Sequence, residues 1–131
     1  MFNKFKDINV AQRAAYSTSF FGDMIQCSKI DMVEILGEPT VTRTSFDNFN
    51  KTFNEWILTT DEGFTFTVYD YWPGGKKSSY NDYEIIEWHI GAKNSKIAGL
   101  IRVMIKQELD NMYEPLEELN RRNREEEFEE Y

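Results

Sequence analysis

Within residues 53 to 71, the stretch from Phe64 to Tyr71 switches side-chain character residue by residue, a period that only a β-strand converts into two distinct faces. Phe53 to Thr60 places Trp56 and Leu58 on one face and Ile57 and Thr59 on the other. Asp61-Glu62-Gly63 has the length and the glycine of a hairpin connection. Phe64 to Tyr71 then resumes the alternation. Phe64, Phe66 and Val68, with Asp70 next in the series, share one face, and Thr65, Thr67, Tyr69 and Tyr71 share the other. An antiparallel pair with one apolar face needs further strands and a helix to cover it.

The rest of the chain supplies both. Thr18 to Cys27 is aromatic and β-branched and reads as a strand, with Gly22 marking a bulge or a close approach. Ser28 with Asp31 three residues on starts a short helix over Ile30 to Leu36, and Gly37-Glu38-Pro39 ends it. Thr44 to Lys51 and Trp72 to Ser79 are loops rich in turn formers. Asp82 to Ile90 is a third strand of the meander, stopped by Gly91. Asn94 or Ser95 caps a long helix whose apolar positions, Ile97, Leu100, Ile101, Met104, Ile105, Leu109 and Met112, recur every three or four residues. Pro115 is expected to interrupt it. The expected fold is α+β: an antiparallel sheet of three to five strands, one short helix, and one long C-terminal helix packed on one face. Residues 1–113 form a single domain, with 1–17 an N-terminal arm or helix. Residues 114–131 are an acidic helix extension or tail, with eight Glu against three Arg.

Composition narrows the function classes. A length of 131 residues with 40% hydrophobic content suits one globular domain. The net charge of −8 opposes direct binding of nucleic acid through its phosphates. One Cys, Cys27, allows no internal disulfide, and one His, His89, leaves too few soft ligands for a structural zinc; no metal or cofactor is expected. No apolar run is long enough to span a membrane, and the start is not a signal peptide, so a cytoplasmic location is expected.

Few residues offer chemistry. His89 and Asp70 end neighbouring strands and can be imagined as an acid–base pair, but no nucleophile elbow, oxyanion loop or metal triad accompanies them. Gly74-Gly75-Lys76-Lys77 lacks the spacing of a phosphate-binding loop and reads as a hairpin tip. Cys27 reads as a small buried hydrophobe. Aromatic residues, 15% of the chain, crowd the strands: Trp56, Tyr69, Tyr71, Trp72, Tyr80, Tyr83 and Trp88. If the long helix covers one sheet face, the other presents Tyr69, Tyr71 and either Trp88 or Trp56. That face is a second core layer, a protein interface, or a platform for stacking bases. The helix also suits a homodimer if Val103 and Ile105 face away from the sheet.

Leu36-Gly37-Glu38-Pro39, Glu55-Trp56, Thr67-Val68-Tyr69-Asp70-Tyr71 and Glu87-Trp88-His89-Ile90-Gly91 together resemble a loose set of small phage-encoded accessory proteins with these elements in the same order. The match spans about residues 18 to 105, with Ala92 in place of the usual second glycine. The resemblance implies a phage origin and an accessory role, and by association an anti-defence, anti-CRISPR-like activity. The expected function is that of a non-enzymatic inhibitor of a host defence protein, such as a CRISPR effector or restriction enzyme. Its acidic surface imitates nucleic acid, and its aromatics anchor the contact. The partner-binding residues are then Tyr69, Tyr71, Trp72, Asp82, Glu84, Glu87, Glu117, Glu118, Glu125, Glu126 and Glu127. The alternative is a sponge for a nucleotide immune signal, stacking on Tyr69, Tyr71 or Trp72 with charge neutralised by Lys76, Lys77 or Arg102. A hydrolase using His89 and Asp70 is a third reading.

Overall fold

A computed structural model describes residues 1–43, 51–74 and 80–129, with the side chains of the last helix up to Tyr113 and at Arg121. Six strands form one wholly antiparallel sheet: β1 (Phe2–Lys4), β2 (Ser19–Ser28), β3 (Val41–Thr42), β4 (Asn54–Thr60), β5 (Thr65–Tyr69) and β6 (Ile85–Ala92). The spatial order is β1-β4-β5-β6-β2, and β3 shares the outer edge of β4 with β1. Three helices complete the fold: α1 (Ile8–Ala15), α2 (Lys29–Leu36) and α3 (Ser95–Glu129). The α+β class, the antiparallel sheet and the long C-terminal helix are as the sequence leads one to expect. The sheet has one strand more than the upper expectation. Its extra members, β1 and β3, are too short to show a period.

Local signals place several boundaries. The Ser28 hydroxyl accepts from the Asp31 amide at the start of α2, and Gly37 ends that helix at φ 82°. Asn94 Oδ1 accepts from the Ile97 amide at the start of α3. Gly22, at φ 101°, sits where the β2–β6 register shifts between Phe20 and Met24, so the bulge is where glycine puts it.

Three expectations are corrected. Asp82 and Glu84 lie in the turn before β6 rather than on it, where Asn81 Oδ1 accepts from the Tyr83 amide. Gly91 does not stop β6, which runs on to Ala92. Pro115 does not interrupt α3: the backbone stays helical to Glu129 although proline leaves one carbonyl of the preceding turn without its donor.

Strand parity sets two layers. One face carries Ile25, Cys27, Trp56, Leu58, Phe66, Val68, Trp88 and Ile90 into a core with α2 and α3, which contribute Met32, Leu36, Ile101, Ile105 and Leu109. Trp56 and Trp88, both fully buried, meet edge to face at 5.2 Å, and each indole N–H reaches a carbonyl: Trp56 that of Gly37, Trp88 that of Cys27. Neither tryptophan is presented on the opposite face. Ile105 also belongs to this core, so only Val103 of the pair considered for a homodimer is exposed. On the other face α1 packs over β4 and β5, burying Ala11 and Ile57. The remainder of that face, over β5, β6 and β2, carries no helix among the described residues.

Candidate functional site

The cross-strand register explains what this uncovered area presents. Glu55 pairs with Tyr69, Tyr69 with His89, and His89 with Met24, a single row across four strands on the face away from the core. His89 lies at its centre. Phe20 stacks on the imidazole with ring centroids 4.2 Å apart and planes 16° from parallel, while Tyr69 and Tyr71 lean on it at 5.6 and 5.3 Å. Gly91, the cross-strand partner of Phe20, has no room for a side chain: a Cβ there would lie 2.4 Å from Thr67 Oγ1 and 3.5 Å from the Ser19 carbonyl.

The cluster is built but open. Phe20 and Tyr71 are 41% and 42% exposed. Burial favours the neutral imidazole and lowers the pKa of His89, with Glu87 pulling the other way. Burial likewise raises the carboxyl of Glu55, opposed by Arg43 and reinforced by Asp70. Tyr69 is pushed up by burial, by Glu55 and by Tyr71. Neutral aromatic faces thus sit between two carboxyl groups, Glu55 on one flank and Glu87 on the other. Such a surface can seat apolar and aromatic groups and the flat face of a guanidinium.

The expected site residues separate. Tyr69 and Tyr71 belong to this cluster, and Glu87 lies beside it, accepting from the Gln26 amide at 3.4 Å. Trp72 does not join them. Its ring packs against Tyr80 on the core side, and its indole donates to Asp70 at 2.5 Å. Asp82 and Glu84 are exposed in their turn, Asp82 within 3.9 Å of Lys29. Glu117, Glu118, Glu125, Glu126 and Glu127 fall on the far part of α3, their side chains outside the described residues.

The pairings behind the other readings are not formed. Asp70 follows Tyr69 and so points to the opposite face from His89; it is fully buried and accepts from the Phe53 and Asn54 amides. Its carboxyl is a structural hub with no line to the imidazole. Arg102 is on α3, across the sheet from Tyr69 and Tyr71, and Lys76 and Lys77 lie outside the described residues. Cys27 is buried, and desolvation pushes its thiol up to about 12, away from nucleophilic character. No group of three or more His, Cys, Asp or Glu is placed to hold a metal among the described residues, and none of their helices is long and apolar enough to cross a membrane.

Sequence reasoning did not find Phe20 or Glu55 as members of this site. Two adjacent phenylalanines before the bulge glycine are a visible signal, because a bulge frees one residue from the inward series. No family model matches the chain, and no curated protein and no solved structure is significantly similar to it.

Proposed function

We propose that the chain acts by binding, without a reaction of its own, and that its docking face is the uncovered half of the sheet around His89. The observation that carries this reading is the aromatic quartet Phe20, Tyr69, Tyr71 and His89, prearranged on a rigid sheet, partly open and flanked by Glu55 and Glu87. Rigid aromatics lose little entropy on binding and dominate protein interfaces. With a net charge of −8 the fitting partner is a basic protein surface, such as the nucleic-acid groove of an enzyme. Together with the resemblance to phage accessory proteins, this makes the chain an inhibitor of a host defence enzyme, a CRISPR effector or a restriction enzyme. The nucleotide-sponge reading has less support, since Arg102 lies across the sheet from Tyr69 and Tyr71 and Trp72 is packed against the core.

The test is DNA cleavage by a panel of guide-loaded CRISPR effectors and restriction enzymes, with the purified chain added. Inhibition of one member is expected, weakening steeply with salt. Phe20→Ala and Tyr71→Ala, both at exposed positions, should each weaken it about tenfold. Inhibition indifferent to both substitutions would remove the aromatic face from the account. A chain that inhibits nothing but carries a few hundred daltons of added mass in native mass spectrometry would favour the sponge.

A further inference from the structure

Tyr71 sits between two carboxylates on the uncovered face of the sheet. The β5–β6 pairing ends with Tyr69 opposite His89, and the same antiparallel register carried two residues further sets Tyr71 opposite Glu87. On the other side β4 contributes Glu55, which pairs with Tyr69 and is therefore diagonal to Tyr71. The Tyr71 ring leans on the His89 imidazole at 5.3 Å and remains exposed, so a flat group can reach it from solvent.

The charges around this ring do not balance. Arg43 acts on Glu55 and also donates to Thr52 Oγ1 at 2.9 Å. Glu87 is exposed, takes the Gln26 amide at 3.4 Å, and has no ion pair with any described residue. His89 adds no charge at neutral pH, since burial lowers its pKa. Two carboxylates thus stand against one cation, beside a ring whose face is itself negative. The phosphate of a nucleotide would be repelled there, and a purely apolar segment would cover Glu87 without giving it a partner, at a cost in desolvation. A flat cation satisfies both features, because it lies on the ring and donates from its edge to a carboxylate. Guanidinium has that shape, whereas an ammonium is a compact point charge.

We propose that the aromatic face seats an arginine side chain of the partner protein, its guanidinium stacked on Tyr71 and donating to Glu87, with Glu55 on the far side of the ring adding attraction. The inference rests on the reading of this face as the docking face. It narrows the basic partner to one that presents an arginine there, rather than lysines alone.

The experiment is an NMR titration of the full-length, isotope-labelled chain with blocked peptides of Gly and Ser that carry one central Arg, Lys or citrulline, the last having the plane of arginine without its charge. The Arg peptide should shift the Tyr71 ring, the His89 imidazole and the Glu87 carboxyl carbon at millimolar concentration. It should bind there about fivefold or more tightly than either of the others. Glu87→Gln and Tyr71→Leu, both at exposed positions, should each remove most of that preference. Equal binding of Arg and Lys would overturn the proposal in favour of general attraction to an acidic chain, and equal binding of Arg and citrulline in favour of neutral stacking. Shifts centred away from Tyr71 would also overturn it, as would concentration-dependent shifts of these groups without peptide, which would point to a second copy. A chain that seats the Arg peptide but inhibits no enzyme of the panel retains the arginine seat and loses the inhibitor reading. Inhibition that depends on Phe20 and Tyr71, with no preference for Arg, does the reverse.

Discussion

Asp70 is a single residue whose position in the strand decides its role. The period-two pattern puts it on the face of Phe66 and Val68, and the fold surrounds it with the amides of Phe53 and Asn54 and the indole of Trp72. It therefore pins the start of β4 and the exit of β5 to one point. Asp70→Ala would strand these buried donors and should cost about 3–5 kcal/mol, measured by urea denaturation. Asp70→Asn should recover only part of that, because one acceptor oxygen becomes an amide donor facing another donor. Full recovery by Asn would mean that the site does not need two acceptors. The parity of Asp70 was legible in the sequence; its partners were not, because the amides it binds lie sixteen and seventeen positions away along the chain.

At the scale of elements, the pairing of β2 with β6 brings the aromatic cluster together. Phe20 lies near His89 where the register shifts across the bulge at Gly22, and Gly91 lets the strands approach closely beside Thr67. Gly91→Ala should lower stability by about 1–3 kcal/mol through overpacking, and Thr67→Ala in the same chain should restore part of the loss by removing Oγ1. A double-mutant cycle with no coupling would show that the strands separate freely at this point. Most residues behind the phage-protein resemblance are explained at this scale by packing. Leu36, Trp56 and Trp88 are buried, and Gly37 supplies the carbonyl that receives the Trp56 indole. Tyr69, Tyr71 and His89 are the residues of that pattern whose rings turn to the open face. The edge positions of β1 and β3 were not legible, since three and two residues carry no period and the ladder alone defines them.

For the whole molecule, stability against pH sums the buried titrating groups. In the fold His89 has a pKa below its usual 6.5, so between the two values the unfolded chain binds more protons. The stability tied to its neutral ring is therefore present above about pH 6.5 and is lost as pH falls through the folded value. Glu55 acts with the opposite sign. Its carboxyl is raised in the fold, so its contribution grows as pH falls through that raised value. Lowering the pH from 7.5 to 5.5 should therefore cost the wild-type chain more thermal stability than it costs His89→Phe, which keeps a ring against Phe20. Equal losses in both proteins would mean that His89 is not held neutral by its neighbours. The same neutral ring lies on the face proposed for docking.

The sequence by itself determined the class of fold, the hairpin of β4 and β5, the capped helix α2 and the amphipathic start of α3, because each rests on a local period or a local cap; at Gly22 it left a bulge or a close approach, and the register shows the bulge. It also determined that Tyr69 and Tyr71 share a face. Only the tertiary structure decided which face is open, since that depends on where α1 settles over Ile57 and where α2 and α3 settle over Trp56 and Trp88. It also seated His89 among Phe20, Tyr69 and Tyr71, turned Trp72 inward to Asp70, and left Arg102 over the edge of β2. Those outcomes depend on contacts between residues distant along the chain, which no local pattern encodes.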